Sequence, residues 1–368
     1  MKKISLIFLF LNIVMTATCQ ERLPGKAYFH LTGNINNNIP VILDLVKIQD
    51  SLYSSFSFNV EKDAQRSYDI NFFNPKILCG KIFQNGSFWL KEIFSNSEPE
   101  IKGEMTGSGL VKGTWKIGKN HRMFPFMVTE KYPEGSLQFN VYSLKDSKPL
   151  LNKAKTPRAD ISLVLLLPVE SSNPIISDSL SSIIVEQFSG RNSDIRDPDK
   201  LLEQIKQVYY DNYITSNESL LKEFPDAGNL NWELLKFMNI LFNGNHQLTF
   251  YILTYAYTGG AHGLETQEFY SIDLTKGRRI TLDNIFKEGY QERLSELLTK
   301  KVHDMQGIPL SKNLSESGFF VDLIEPNNNF YLTGNGIGFF YNHYEIAPYS
   351  NGSTDLFFTF EELKAIIK

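Results

Sequence analysis

His262 is one of six histidines in this 368-residue chain, and it sits where an imidazole could do chemistry. It lies in Tyr255-Ala256-Tyr257-Thr258-Gly259-Gly260-Ala261-His262-Gly263. A strand-like run from His246 to Tyr255 is halted there by adjacent glycines, which allow left-handed backbone, and a third glycine follows the histidine. A neutral imidazole presented on such a turn could serve as a general base or a metal ligand. Either role needs partners. His343, Glu265, Glu268 and Glu345 could supply them if the block around Tyr344 met the turn in space. The spacing argues otherwise. There is no His-Glu-x-x-His, and a mononuclear site needs three or four converging ligands. Glu265 and Glu268, three apart on a strand, would face opposite sides. The plainer reading makes Gly259, Gly260 and Gly263 the turn formers, with His262 hydrogen-bonding to backbone. No metal and no cofactor are expected.

A second block, Tyr344-Glu345-Ile346-Ala347-Pro348-Tyr349-Ser350-Asn351-Gly352, places two tyrosines and a carboxylate around a proline. Aromatic side chains on a loop stiffened by proline are rigid contact groups, or else they pack on the sheet with only their hydroxyls wet. Tyr257, His262, Tyr344, Glu345 and Tyr349 are therefore the candidate ligand-binding residues. Nucleophile and phosphate motifs are missing. There is no Gly-x-Ser-x-Gly elbow. The glycine-rich stretch Gly103 to Gly113 lacks a Gly-Lys-Ser/Thr ending. Gly334-Asn335-Gly336-Ile337-Gly338 precedes a strand rather than a helix, which is not a dinucleotide context. No catalytic residue is assigned and a non-enzymatic role is expected.

The elements that must carry these residues fall into two compositional regimes. From Ala27 to about Leu144, some ten short strand-like runs alternate with Asn, Gly and Pro clusters, and Asn85-Gly86 is a hairpin signal. That spacing predicts an all-β barrel or sandwich over 26–145. A barrel could enclose a small ligand, with Phe83, Trp89 and Trp115 as candidate lining, or hold a dry core. Residues 146–157 read as a linker rich in Lys, Ser and Pro. Beyond it, strands mix with helical spacing. Helices are expected over Ile175 to Phe188, Pro198 to Lys222, Gly289 to Met305 and Phe360 to Ile367. Paired strands are expected around Asn243-Gly244-Asn245, with further strands at Phe269 to Leu274, Phe319 to Leu323, Asn329 to Thr333, Gly336 to Tyr341 and Leu356 to Phe358. The C-terminal region is thus α+β, an antiparallel sheet with packed helices.

Composition bounds the class. The formal charge is −4 and no basic patch dominates, so nucleic acid is not an expected partner. Lys2 and Lys3, the apolar run Ile4 to Met15, and Thr16-Ala17-Thr18-Cys19 read as an export signal over 1–19, too short to span a membrane. Cys19 is a candidate lipidation site, although Thr stands where lipoprotein signals prefer Leu and a small residue. Cys79, the other cysteine, reads as a small buried hydrophobe, with a bridge to Cys19 as the alternative.

Four blocks stand in order: Tyr255 to Gly263, Leu274-Thr275 to Ile285-Phe286, Phe330 to Ile337, and Tyr344 to Gly352. Together they resemble the extracellular domain shared by the anti-sigma factor RsiV and the peptidoglycan deacetylase PdaC. The resemblance runs from about Asp160 and is strongest from His246, giving an RsiV-type domain over 246–368 and a PdaC-type upstream domain over 158–245. It implies an exported bacterial envelope protein, periplasmic or outer-membrane-anchored. It further implies a binding module for a lysozyme-like protein or for peptidoglycan. Only Met1, Lys2 and Lys3 precede the apolar run, so a sigma-holding segment is not expected, and the His and Asp blocks of a deacetylase are missing. The alternatives are a glycan-directed hydrolase or esterase using His262, and a small-ligand carrier using the N-terminal barrel.

Overall fold

The computed structural model describes residues 23–36, 38–58, 74–93, 100–117, 122–151, 156–169, 174–190, 195–223 and 230–368. The export segment with Cys19, and the strand expected at Tyr68 to Phe73, lie outside the described residues.

Alternation of apolar and polar residues builds a closed antiparallel barrel of eight strands in sequence order. They are β1 (Lys26–Ile35), β2 (Ile39–Ile48), β3 (Ser51–Phe58), β4 (Lys76–Ile82), β5 (Ser87–Glu92), β6 (Ile101–Met105), β7 (Leu110–Ile117) and β8 (Arg122–Glu130). Pairing of β1 with β8, Ile35 opposite Phe126, closes the ring. The barrel alternative is therefore the correct one, and closure removes the sheet edges that a sandwich would leave. In β6, Ile101 and Met105 point inward and are buried, while Lys102 and Glu104 face water. Leu31, Leu43, Phe56, Leu90, Ile101 and Trp115 fill the interior. Trp115 packs its ring 4.6 Å from Phe56 and 5.2 Å from Phe58. Of the three residues considered as cavity lining, only Trp115 points in. Trp89 faces outward and Phe83 stands exposed at the rim.

The second layer is a six-stranded sheet in the order β14-β13-β12-β11-β10-β9. Its strands are β9 (Phe139–Pro149), β10 (Arg158–Pro168), β11 (Trp232–Gly244), β12 (Gln247–Tyr257), β13 (Leu264–Asp273) and β14 (Arg278–Arg279). Asp146 to Pro149, linker by composition, are the end of β9 and pair with β10, so the sheet starts before the linker ends. One β-sheet likewise spans the division placed between Asn245 and His246, where β11 turns into β12. The sheet is antiparallel except for β10 and β11, which run parallel. Helices α1 (Pro174–Ser189) and α2 (Pro198–Glu223) make the crossover that a parallel pair requires. The β11–β12 turn sits at Asn245 and His246, with φ of 53° and 56°. Two left-handed residues match the strand twist, so β11 extends two residues, Asn243 and Gly244, into the Asn-Gly-Asn signal.

The outer face of β2 and β3 is covered by β11. The Tyr53 ring packs tilted 4.2 Å from Phe237, and Ser55 donates to the Ile240 carbonyl at 2.7 Å. One buried carboxylate, Asp44, lies in this seam. It accepts from Tyr28 at 2.5 Å and pairs with His30 at 2.7 Å, while Asn243 donates to Tyr28 at 2.9 Å. Burial opposes a charged His30, but the adjacent Asp44 carboxylate outweighs it and raises the imidazole pKa.

The C-terminal layer holds a three-stranded sheet of β15 (Phe330–Leu332), β16 (Gly336–Tyr341) and β17 (Thr354–Thr359). Helices α3 (Leu282–Ile285), α4 (Tyr290–Gln306) and α5 (Phe360–Leu363) accompany it. Leu294, Leu298 and Val302 line one side of α4 at helical spacing and are buried with Phe339, Leu356 and Phe358. Every residue of β16 is buried, which explains its unbroken apolar run. The strand expected at Phe319 to Leu323 is an irregular segment. Phe320 and Leu323 are half exposed, and the Phe320 amide is bonded to the Ile346 carbonyl rather than to a ladder. A short apolar run without a partner strand has no other place for its backbone groups. Among the described residues, no helix is long and apolar enough to cross a membrane.

Candidate functional site

The two motif blocks meet. The Tyr349 ring lies between two imidazoles, 4.2 Å from His262 at 23° and 4.4 Å from His343 at 24°. Tyr344 adds a fourth ring 5.8 Å from Tyr349 and is 51% exposed. His262 itself is exposed, so the stack forms part of the surface.

Each loop is held locally. Gly259 and Gly260 take φ of 100° and 94°, as two non-β-branched, Cβ-free residues must to fold the chain back at the end of β12. Tyr257 donates to the Gly260 carbonyl at 3.1 Å and so braces the turn. His262 Nδ1 lies 2.9 Å from the Gly263 carbonyl, which fixes the ring orientation. Gly263 answers a different need from its neighbours. A Cβ there would lie 2.5 Å from the Tyr255 ring, so glycine lets the returning chain cross that side chain.

The facing loop is built on asparagines. Strand β13 pairs with β14 only through Ile272 and Asp273, which leaves much of its edge open. Side-chain amides take that edge. Asn342 accepts from the Gln267 amide at 2.7 Å and donates to its carbonyl at 3.2 Å. Asn329 accepts from the Phe269 amide and donates to the Gln267 carbonyl, both at 2.8 Å. Glu345 is anchored between Asn342 and Asn327, each 3.2 Å away. Its amide bonds the Asn342 carbonyl at 3.2 Å, closing a turn that puts Tyr344 at φ 68°. A bulky residue in the left-handed region costs of order 1 kcal/mol, and the three asparagines and Glu345 supply the contacts that hold it.

Glu265 is partly buried; its burial raises its pKa, against the Gln267 amide that donates to it at 2.9 Å and the nearby His343. The structure thus brings His262, His343, Tyr344 and Tyr349 together. It uses Tyr257 and Glu345 as braces, and it places Glu265 beside His343 rather than His262. Glu268 faces away, toward Lys236. Among the described residues, no group of three His, Cys, Asp or Glu side chains converges as a metal site would require. Asn327, Asn329 and Asn342 were not singled out from the sequence. Asparagines near loops are commonplace, and nothing local marks those that complete a distant sheet edge.

Comparison with known proteins falls on this same region. Residues 283–361 match the family model described as protein of unknown function DUF3298. That span contains α4, β15 to β17 and the Tyr344 loop, and stops short of the Gly-Gly-Ala-His turn. A member of the DUF3298 family from Bacteroides fragilis NCTC 9343 has a similar crystal structure, with a TM-score of 0.59 and 25% identity. The similarity covers 63% of this chain and 94% of that one. A DUF3298 family protein from Pseudomonas aeruginosa PAO1 aligns at 15% identity and a TM-score of 0.44, over 64% of this chain and 96% of the other. No curated protein matches. Residues 283–361 therefore carry a DUF3298 domain.

Proposed function

We propose that this chain is an exported protein of the bacterial envelope, tethered through a lipid on Cys19, and that its C-terminal domain is a binding module. The ligand is a lysozyme-like protein or the cell-wall glycan, as the resemblance to the RsiV and PdaC extracellular domain implies. The observation that carries the reading is the exposed stack His262–Tyr349–His343 with Tyr344 beside it. Preorganised aromatic rings on braced loops lose little entropy on contact, which is what anchors of a binding surface need. A hydrolytic role for His262 is less well supported. The Gly263 carbonyl at Nδ1 orients the ring and leaves only Nε2 as a base, but Glu265, the candidate acidic partner, stands beside His343 instead.

Immobilised full-length protein should retain lysozyme or purified peptidoglycan at micromolar concentration, and Tyr349→Ala and Tyr344→Ala should each reduce retention. If the intact protein retains neither ligand, the binding reading is removed. Cys19→Ser should release the protein from the membrane fraction of cells, and its unchanged fractionation would remove the tether.

A further inference from the structure

Strands β4 to β7 turn a lysine-rich face to solvent on a chain of net charge −4. At its centre stands Trp89 on β5, half-buried. Register places Lys81 of β4 on one side of it and Lys102 of β6 on the other. Lys102 is followed across the sheet by Thr114 of β7. One pleat along, Lys112 stands opposite Glu104. Trp89, Lys102, Glu104, Lys112 and Thr114, with exposed Phe83 at one end, line a shallow groove of about 800 Å³. Lys76 at the other end of β4 is paired with Glu92. Among the described residues, Lys81, Lys102 and Lys112 are not. Lys81 and Lys102 thus flank an aromatic platform with positive charge, while Lys112 has Glu104 opposite it.

Charge and composition select the occupant. The centre of a protein–protein interface is depleted in lysine, so this face does not suit a protein partner. A nucleic acid would want a denser basic track than three lysines, with several aromatic rings for successive bases rather than one. A flat ring between two ammonium groups, roughly 10 Å apart across two strand spacings, suits a chain of sugar rings that carry carboxylates. We propose that this outer barrel face binds an acidic polysaccharide, with Trp89 stacking on a sugar ring and Lys81, Lys102 and Lys112 pairing with its carboxylates. The site is separate from the C-terminal aromatic stack and does not depend on the function proposed for it.

The probe is an oligomer of galacturonic acid, titrated into the full-length protein. Of the three tryptophans, Trp115 is sealed in the barrel and Trp232 packs on Tyr213, so Trp89 reports binding through its fluorescence. The oligomer should give a saturable change. Trp89→Ala should weaken affinity by about tenfold in calorimetry, the scale of one aromatic stack. Lys81→Gln with Lys102→Gln should weaken it at least as much and reduce its salt dependence. The fully methyl-esterified oligomer should bind much more weakly, and His262→Ala should leave affinity unchanged. Absence of saturable binding to the wild type would overturn the proposal. So would equal affinity for the esterified oligomer, unchanged affinity in both sets of variants, or stronger binding of oligothymidylate.

Discussion

Asn342→Ala offers the sharpest test of how the candidate face is assembled. The side chain accepts from the Gln267 amide at 2.7 Å, and Gln267 is only 6% exposed. Removing the acceptor leaves that N–H buried without a partner, at a cost of about 1–3 kcal/mol. The Gln267 carbonyl is not orphaned, because Asn329 still donates to it at 2.8 Å. The second donation, to Glu345 at 3.2 Å, is long and partly solvated, and adds less than about 1 kcal/mol. Local opening at β13 should therefore become easier by about 2 kcal/mol. Amide hydrogen exchange reads this directly: Gln267 should exchange roughly thirtyfold faster in the variant. Asn342→Asp separates the two roles of the side chain. It keeps the acceptor for Gln267 but sets a carboxylate against Glu345, so Gln267 should stay protected while the turn carrying Tyr344 loosens. If the Gln267 amide exchanges within about threefold of wild type in Asn342→Ala, the asparagine does not hold this edge and the account of the site is wrong.

Three further outcomes follow from the same geometry. Gly263→Ala drives a Cβ to 2.5 Å from the Tyr255 ring and should cost about 1–3 kcal/mol in thermal unfolding, whereas Gly260→Ala, which meets open space, should cost only the left-handed strain of about 1 kcal/mol. Trp115→Ala should cost about 3–5 kcal/mol through a cavity in the barrel, while Trp89→Ala on the outer face should cost far less, as denaturant midpoints would show. Asp355 accepts the Tyr331 hydroxyl on both oxygens at 2.9 Å, and burial raises its pKa to about 7, against the pull of Tyr331 and Lys76. The native state then holds a proton that the unfolded chain releases near pH ~4. Its contribution to stability is complete below that pH and is lost as pH rises through about 7. Asp355→Asn should remove that slope, at most about 1.4 kcal/mol per pH unit, and an unchanged profile would refute the assignment.

Local chemistry along the chain determined much of this protein. Period-two alternation in runs such as Ile101 to Met105 specified strands with one wet face, and β8 closing on β1 is the solution that leaves such strands no free edge. Period 3.6 with Gly289 and Gly307 at its ends specified α4. The adjacent glycines before His262 specified a turn, because only a residue without Cβ takes φ near 100° cheaply. Tertiary structure decided the rest. A short apolar stretch at Phe319 to Leu323 has the composition of a strand, but only a partner could make it one. The meeting of His262 with Tyr349 depends on β13 offering an open edge and on Asn329 and Asn342 filling it. Trp89 and Trp115 have equal propensities, and pleat register alone sent one to solvent and the other to the core. Propensity and periodicity act over one turn or one pleat, whereas these contacts join segments that are neighbours only after the whole chain has packed.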